Sequence, residues 1–193
     1  MSSEFPKPRL TVFPTNLPGC VELQAQLLGD ARGHFLKTFH LPLWKELGLV
    51  TRFDEEYYSR SVQNVIRGFH FQMPPLQHTK VVCCVYGEVL DVVVDLRKGS
   101  PTFGDYHSTL LSQAKGNLLY IPEGLAHAFC TIGPEAILYY KVSTVYSPEH
   151  DAGIRWDSAG IDWPITNPIV SARDQDFPKL SEFESPFVFE TNT

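Results

Sequence analysis
Apolar and polar positions alternate along much of the chain, and elsewhere they gather into short apolar blocks bounded by glycine and proline. Residues 21–28, 89–95, 107–111, 118–121, 126–132 and 136–142 are rich in branched and aromatic side chains, and each predicts a short strand. Credible turns separate them at Gly29-Asp30, Lys98-Gly99-Ser100-Pro101, Lys115-Gly116-Asn117, Pro122-Glu123-Gly124 and Gly133-Pro134. Strands that follow one another without intervening helices point to an all-β antiparallel sandwich or barrel. One short peripheral helix is expected at 42–47, ended by Gly48.

With 193 residues, 43% of them hydrophobic and 20% charged, the chain suits a single domain, 1–193, with a sizeable core. A net charge of -6 disfavours a general nucleic-acid binder and leaves room for a local basic pocket. The opening Met1-Ser2-Ser3-Glu4-Phe5-Pro6-Lys7-Pro8 does not read as a secretion signal. No apolar run approaches the roughly 20 residues that span a bilayer. The expectation is a cytoplasmic protein without a membrane partner. Cys20, Cys83, Cys84 and Cys130 fit neither a zinc site nor a disulfide scaffold, so buried reduced thiols are expected, with Cys83 and Cys84 on opposite faces of one strand.

The candidate chemistry concentrates between Ser61 and Lys80. In Arg67-Gly68-Phe69-His70-Phe71-Gln72 the alternation puts His70 and Gln72 on one face and the two phenylalanines on the other. Lys80 then enters the apolar run 81–85, where a lysine ordinarily stays exposed or pairs. An imidazole and an ammonium on one half-buried face suggest a polar cavity. His127, Tyr140 and Asp174 are further candidates. Taken singly, each is equally a histidine near a turn, a tyrosine at a sheet edge or an aspartate in a surface loop.

These segments resemble the dTDP-4-dehydrorhamnose 3,5-epimerase family. The likeness runs from about Asp30 to Leu180, through Asp30-Ala31-Arg32-Gly33-His34-Phe35, Arg67 to Gln72, Pro74-Pro75 with Lys80, and Gly87 to Arg97. It continues through Ser100 to Gly104, Ile121 to Phe129, Leu138 to Lys141, Tyr146 to His150, Ile154 to Asp157 and Ser171 to Asp174. The resemblance implies a cupin-type jelly-roll barrel and epimerisation of a nucleotide-linked 4-keto-6-deoxy sugar. It implies His70 as general base, Asp174 as its orienting carboxylate, Lys80 near the ketone oxygen and Tyr140 as the acid on the opposite face. Arg32 and Arg67 match positions that grip the diphosphate, and Phe35, Gln72 and His127 fall among the substrate-binding positions. Many cupins hold a metal through His-x-His. Here the strand reads His70-Phe71-Gln72, so no metal and no cofactor is expected.

The chain departs from the family pattern in the nucleotide subsite. Lys37 stands where the family commonly has a glutamate, and Glu55 and Tyr57 replace the usual glutamine and asparagine. Lys37 donating to cytosine and Glu55 accepting from its amino group would suit a CDP-linked sugar, so the substrate is expected to be CDP- or dTDP-linked, with inversion at C3, C5 or both. Residues 53–61 read as an edge strand open to a partner, and the family resemblance implies a homodimer in which this strand brings Glu55 and Tyr57 to the other subunit's nucleotide site. The competing readings are a non-catalytic sugar-nucleotide-binding cupin and a 3,4-ketoisomerase on the same barrel.

Overall fold
The structure, a computed structural model, describes residues 9–190. The polar opening Met1 to Pro8, read above for a secretion signal, lies outside the described residues. Two antiparallel sheets face each other. One contains β1 (Leu10–Pro14), β2 (Val21–Ala25), β5 (Glu55–Val62), β7 (Lys80–Tyr86), β10 (Asn117–Ile121) and β12 (Glu135–Val142), in the order β1-β2-β10-β7-β12-β5. The other contains β6 (Ile66–Gln72), β8 (Glu88–Asp95), β9 (Tyr106–Ser112), β11 (Leu125–Thr131) and β13 (Asp151–Gly153), in the order β13-β6-β11-β8-β9. A separate hairpin joins β3 (Leu27–Asp30) to β4 (Gly33–Leu36). Among the described residues two short α-helices, α1 (Leu41–Glu46) and α2 (Ala172–Asp176), lie outside the sheets, and no helix is long and apolar enough to cross a membrane. This is a cupin-type jelly roll.

The side-chain parity of the middle strands explains both the alternation and the solid apolar runs. Val82 and Cys84 of β7, Val89 and Val93 of β8, and Leu138 and Tyr140 of β12 meet between the sheets. Their neighbours point outward yet are also covered. Val81 and Cys83 pack with Trp44 of α1, and Val92 and Val94 pack with Phe69, Phe71, Ile154 and Phe187. A strand buried on both faces loses its polar positions, which is why β7, β8 and β11 read as continuous hydrophobic segments. All four cysteines are buried free thiols, and Cys83 and Cys84 occupy different clusters as the alternation required.

Several boundaries differ from the sequence reading. The strand expected at 21–28 is two strands, because the chain leaves the six-stranded sheet at Gln26 and pairs with β4 instead. The turn expected at Gly29-Asp30 sits two residues later, where the Asp30 carboxylate accepts the Arg32 backbone N–H at 2.8 Å and Gly33 takes φ +124°. The edge strand expected at 53–61 is β5, which forms the edge beside β12. The helix expected at 42–47 begins at Leu41, and Gly48 follows it at φ +69°.

Candidate active site
The same parity carries chemistry into the barrel. His70 and Gln72 share the inward face of β6, Lys80 that of β7 with Val82, His127 that of β11 with Phe129, Asp91 that of β8 with Val93, and Tyr140 that of β12. All of the polar ones but Asp91, which is hydrogen-bonded to His127, line a cavity of about 350 Å³ together with Glu55, Tyr57 and Arg67. Strict alternation would have sent Arg67 to the other face from His70. At Gly68 the ladder between β6 and β11 shifts register, and φ is +123°. A Cβ there would fall 2.5 Å from the Ala128 side chain, so glycine alone allows this close approach.

His70 Nε2 lies 2.9 Å from Asp174 Oδ1, and Asp174 Oδ2 accepts the Gly68 backbone N–H at 3.1 Å. Asp174 is no surface residue: Ser171 caps α2 by accepting the Asp174 backbone N–H, and the carboxylate is buried. Burial raises its pKa, but the hydrogen bond and charge of His70, the Gly68 N–H and the Ser171 hydroxyl outweigh this and carry it down to about 2. With Nε2–H given to Asp174, Nδ1 holds the free lone pair. The Arg173 guanidinium is 2.8 Å from the same Nε2. It is anchored by ion pairs to Asp151 and Asp174.

A second histidine–carboxylate pair lies deeper. His127 Nε2 is 2.8 Å from Asp91 Oδ2, and both residues are buried. Burial pulls the His127 pKa down, with Asp91 opposing, so the imidazole is neutral. Desolvation also pulls Lys80 down to about 8, offset by the charges of Asp91 and Asp151, and leaves it mainly an ammonium at neutral pH. The Tyr140 phenol is pushed strongly upward, first by burial, and holds its proton. Asp91 and Arg173 escaped the sequence reading. Asp91 could have been found as the one carboxylate at an inward position between Val89 and Val93.

Glu55 and Tyr57 lie on β5, which is paired along its whole length to β12, and both line their own chain's cavity. Gln72 borders the cavity, but its amide braces loops, donating to Leu76 O at 2.9 Å and accepting from Ser147 N–H at 2.6 Å. Arg67 keeps its place, steadied by Ser61 Oγ at 2.9 Å. Arg32, Phe35 and Lys37 are elsewhere, in a separate groove of about 560 Å³ beside β3, β4 and α1. That groove is the larger hollow, but no imidazole there is paired with a carboxylate. The chemistry therefore belongs to the smaller cavity. Lys37 and Glu55, expected together on one base, are thus not joined within one chain.

Residues 14–182 match the family described as dTDP-4-dehydrorhamnose 3,5-epimerase. The dTDP-4-dehydrorhamnose 3,5-epimerase of Shigella flexneri is 39% identical over 168 residues, covering 86% of this chain and 93% of that protein. The dTDP-4-dehydrorhamnose 3-epimerase of Streptomyces niveus is 40% identical over 172 residues, covering 88% and 83%. Among solved structures, dTDP-6-deoxy-D-glucose-3,5-epimerase from Legionella pneumophila in complex with dTDP-4-keto-L-rhamnose superposes with a TM-score of 0.90 at 31% identity, over 95% of this chain and all of that one. The chain is an isomerase that belongs to the dTDP-4-dehydrorhamnose 3,5-epimerase family.

Proposed function
We propose that the protein inverts carbon centres of a dTDP-linked 4-keto-6-deoxyhexose, with His70 as base and Tyr140 as acid. One observation carries this reading: the base lies on the five-stranded sheet and the acid on the facing one, with Lys80 beside the acid's strand. A sugar ring held between the sheets presents opposite faces to the two groups.

A carbonyl at C4 lets the neighbouring C–H bond break heterolytically. His70 Nδ1 takes the proton, and the electron pair delocalises onto the ketone oxygen. The Lys80 ammonium, itself buried, stabilises that developing charge. Asp174 stabilises the imidazolium. Tyr140 then gives its proton to the same carbon from the other side, and solvent restores both groups. Nothing is oxidised or reduced overall, so the chemistry needs no redox cofactor. Arg67 suits the diphosphate as a planar donor.

We also read the working unit as one jelly-roll domain per chain in a homodimer. The β3–β4 hairpin holds Arg32 and Phe35 away from its own cavity, and Phe35 is 58% exposed. A second copy would bring Arg32, Phe35 and Lys37 to the nucleotide. The substrate is charged and water-soluble, which fits a cytoplasmic enzyme. The relatives' dTDP substrates favour thymidine over cytidine. Lys37 sustains the CDP-linked alternative, since an ammonium can donate to the cytosine ring nitrogen.

The experiment is to incubate the protein in D₂O with dTDP- and CDP-linked 4-keto-6-deoxyglucose and follow C3 and C5 by NMR. Deuterium uptake with inversion is expected on the dTDP sugar, and Tyr140→Phe should keep uptake while losing inversion. No uptake from either sugar overturns the catalytic reading. Faster turnover of the CDP sugar replaces the thymidine assignment.

A further inference from the structure
A phenol that must deliver a proton to one face of a carbanion needs its ring held still, and Tyr140 is held on three sides. Ser59 Oγ lies 3.2 Å from its hydroxyl. The His127 ring meets it edge-on, with centroids 6.2 Å apart. Tyr57 closes the third side. It stands directly opposite Tyr140 in the ladder between β5 and β12, and the two rings stack with centroids 4.7 Å apart and planes 18° from parallel. Directly opposed aromatic pairs in this geometry hold each other beyond the effect of buried area.

Their exposures differ in a telling way. Tyr140 is 5% exposed and Tyr57 39%, so Tyr57 is the solvent-facing member of the stacked pair. Ser59 offers a single hydroxyl, and His127 is committed to Asp91. Tyr57 supplies the broad flat contact.

We infer that Tyr57 is a positioning residue whose ring clamps Tyr140, so that the phenol rather than water returns the proton on the face away from His70. The inference rests on the acid role proposed for Tyr140. It assigns Tyr57 to the reprotonation half of the reaction and leaves C–H cleavage by His70 untouched. Without the clamp, the carbanion waits longer and takes a solvent deuteron back from the His70 side. The result is exchange with retention.

The readout is the number of inversions per exchange event on dTDP-4-keto-6-deoxyglucose in D₂O, a ratio that a fall in the folded fraction does not change. Tyr57→Asn should lower it about tenfold, as expected when roughly 1.4 kcal/mol of ring positioning is lost. Tyr57→Phe, which keeps the ring, should retain the wild-type ratio whatever it does to KM. A wild-type ratio in Tyr57→Asn overturns the inference, and so does a fall in Tyr57→Phe equal to that in Tyr57→Asn, since the hydroxyl would then be the active part. If wild-type protein inverts but Tyr140→Phe inverts equally well, the acid assignment is what has failed, and the clamp falls with it.

Discussion

The barrel contains two histidine–carboxylate pairs of nearly equal length, 2.9 Å for His70–Asp174 and 2.8 Å for His127–Asp91. Their surroundings separate their roles. The His70 side chain is 25% exposed, whereas that of His127 is 5% exposed. The outer imidazole opens on the cavity and can exchange its proton with solvent between turnovers. The inner one is neutral by burial and is enclosed. A histidine–aspartate pair is thus no signature of a base by itself. What distinguishes a base is a ring nitrogen with somewhere to send its proton.

The most direct way to break this contrast is to remove each imidazole in turn. His70→Asn should lower solvent deuterium uptake per folded molecule by roughly 10²–10⁴, the usual worth of general base assistance. His127→Ala should act mainly on stability. It leaves the buried Asp91 carboxylate without its partner, which costs about 3–5 kcal/mol in urea unfolding, while exchange per folded molecule falls far less than in His70→Asn. Equal exchange losses in the two variants would erase the distinction.

A smaller effect sharpens it through pH. The folded pKa of Asp174, about 2, lies below its ordinary value of 3.8. Its contribution to stability is therefore complete above about pH 4 and is lost as pH falls toward 2, amounting to about 2 kcal/mol. Unfolding measured from pH 5 to pH 2 should show this loss, and Asp174→Asn should flatten that part of the curve. An unchanged slope in the variant would mean that another carboxylate governs the acid limb.

Much of this was legible from residue order. The alternation around His70, the apolar runs and most of the glycine-marked turns follow from local periodicity, and apart from the split at Gln26 the indicated strands formed to within one or two residues. The features it missed depend on nonlocal facts. Strict period two could not place Arg67 beside His70, because the shift at Gly68 depends on how closely β11 approaches. Asp174 read equally well as a surface residue until α2 carried it against β6. Asp95, embedded in one of the family-like segments, is structural. It binds Arg97, Ser100 and Thr102 and ties down the loop after β8.

The carboxylate that readies His70 lies on α2, beyond β13, the final strand of either sheet. During synthesis every strand of the jelly roll leaves the ribosome before Asp174 does. The nascent barrel can thus close around its cavity while the imidazole is still undirected, and the power to abstract a proton arrives only when the trailing segment docks.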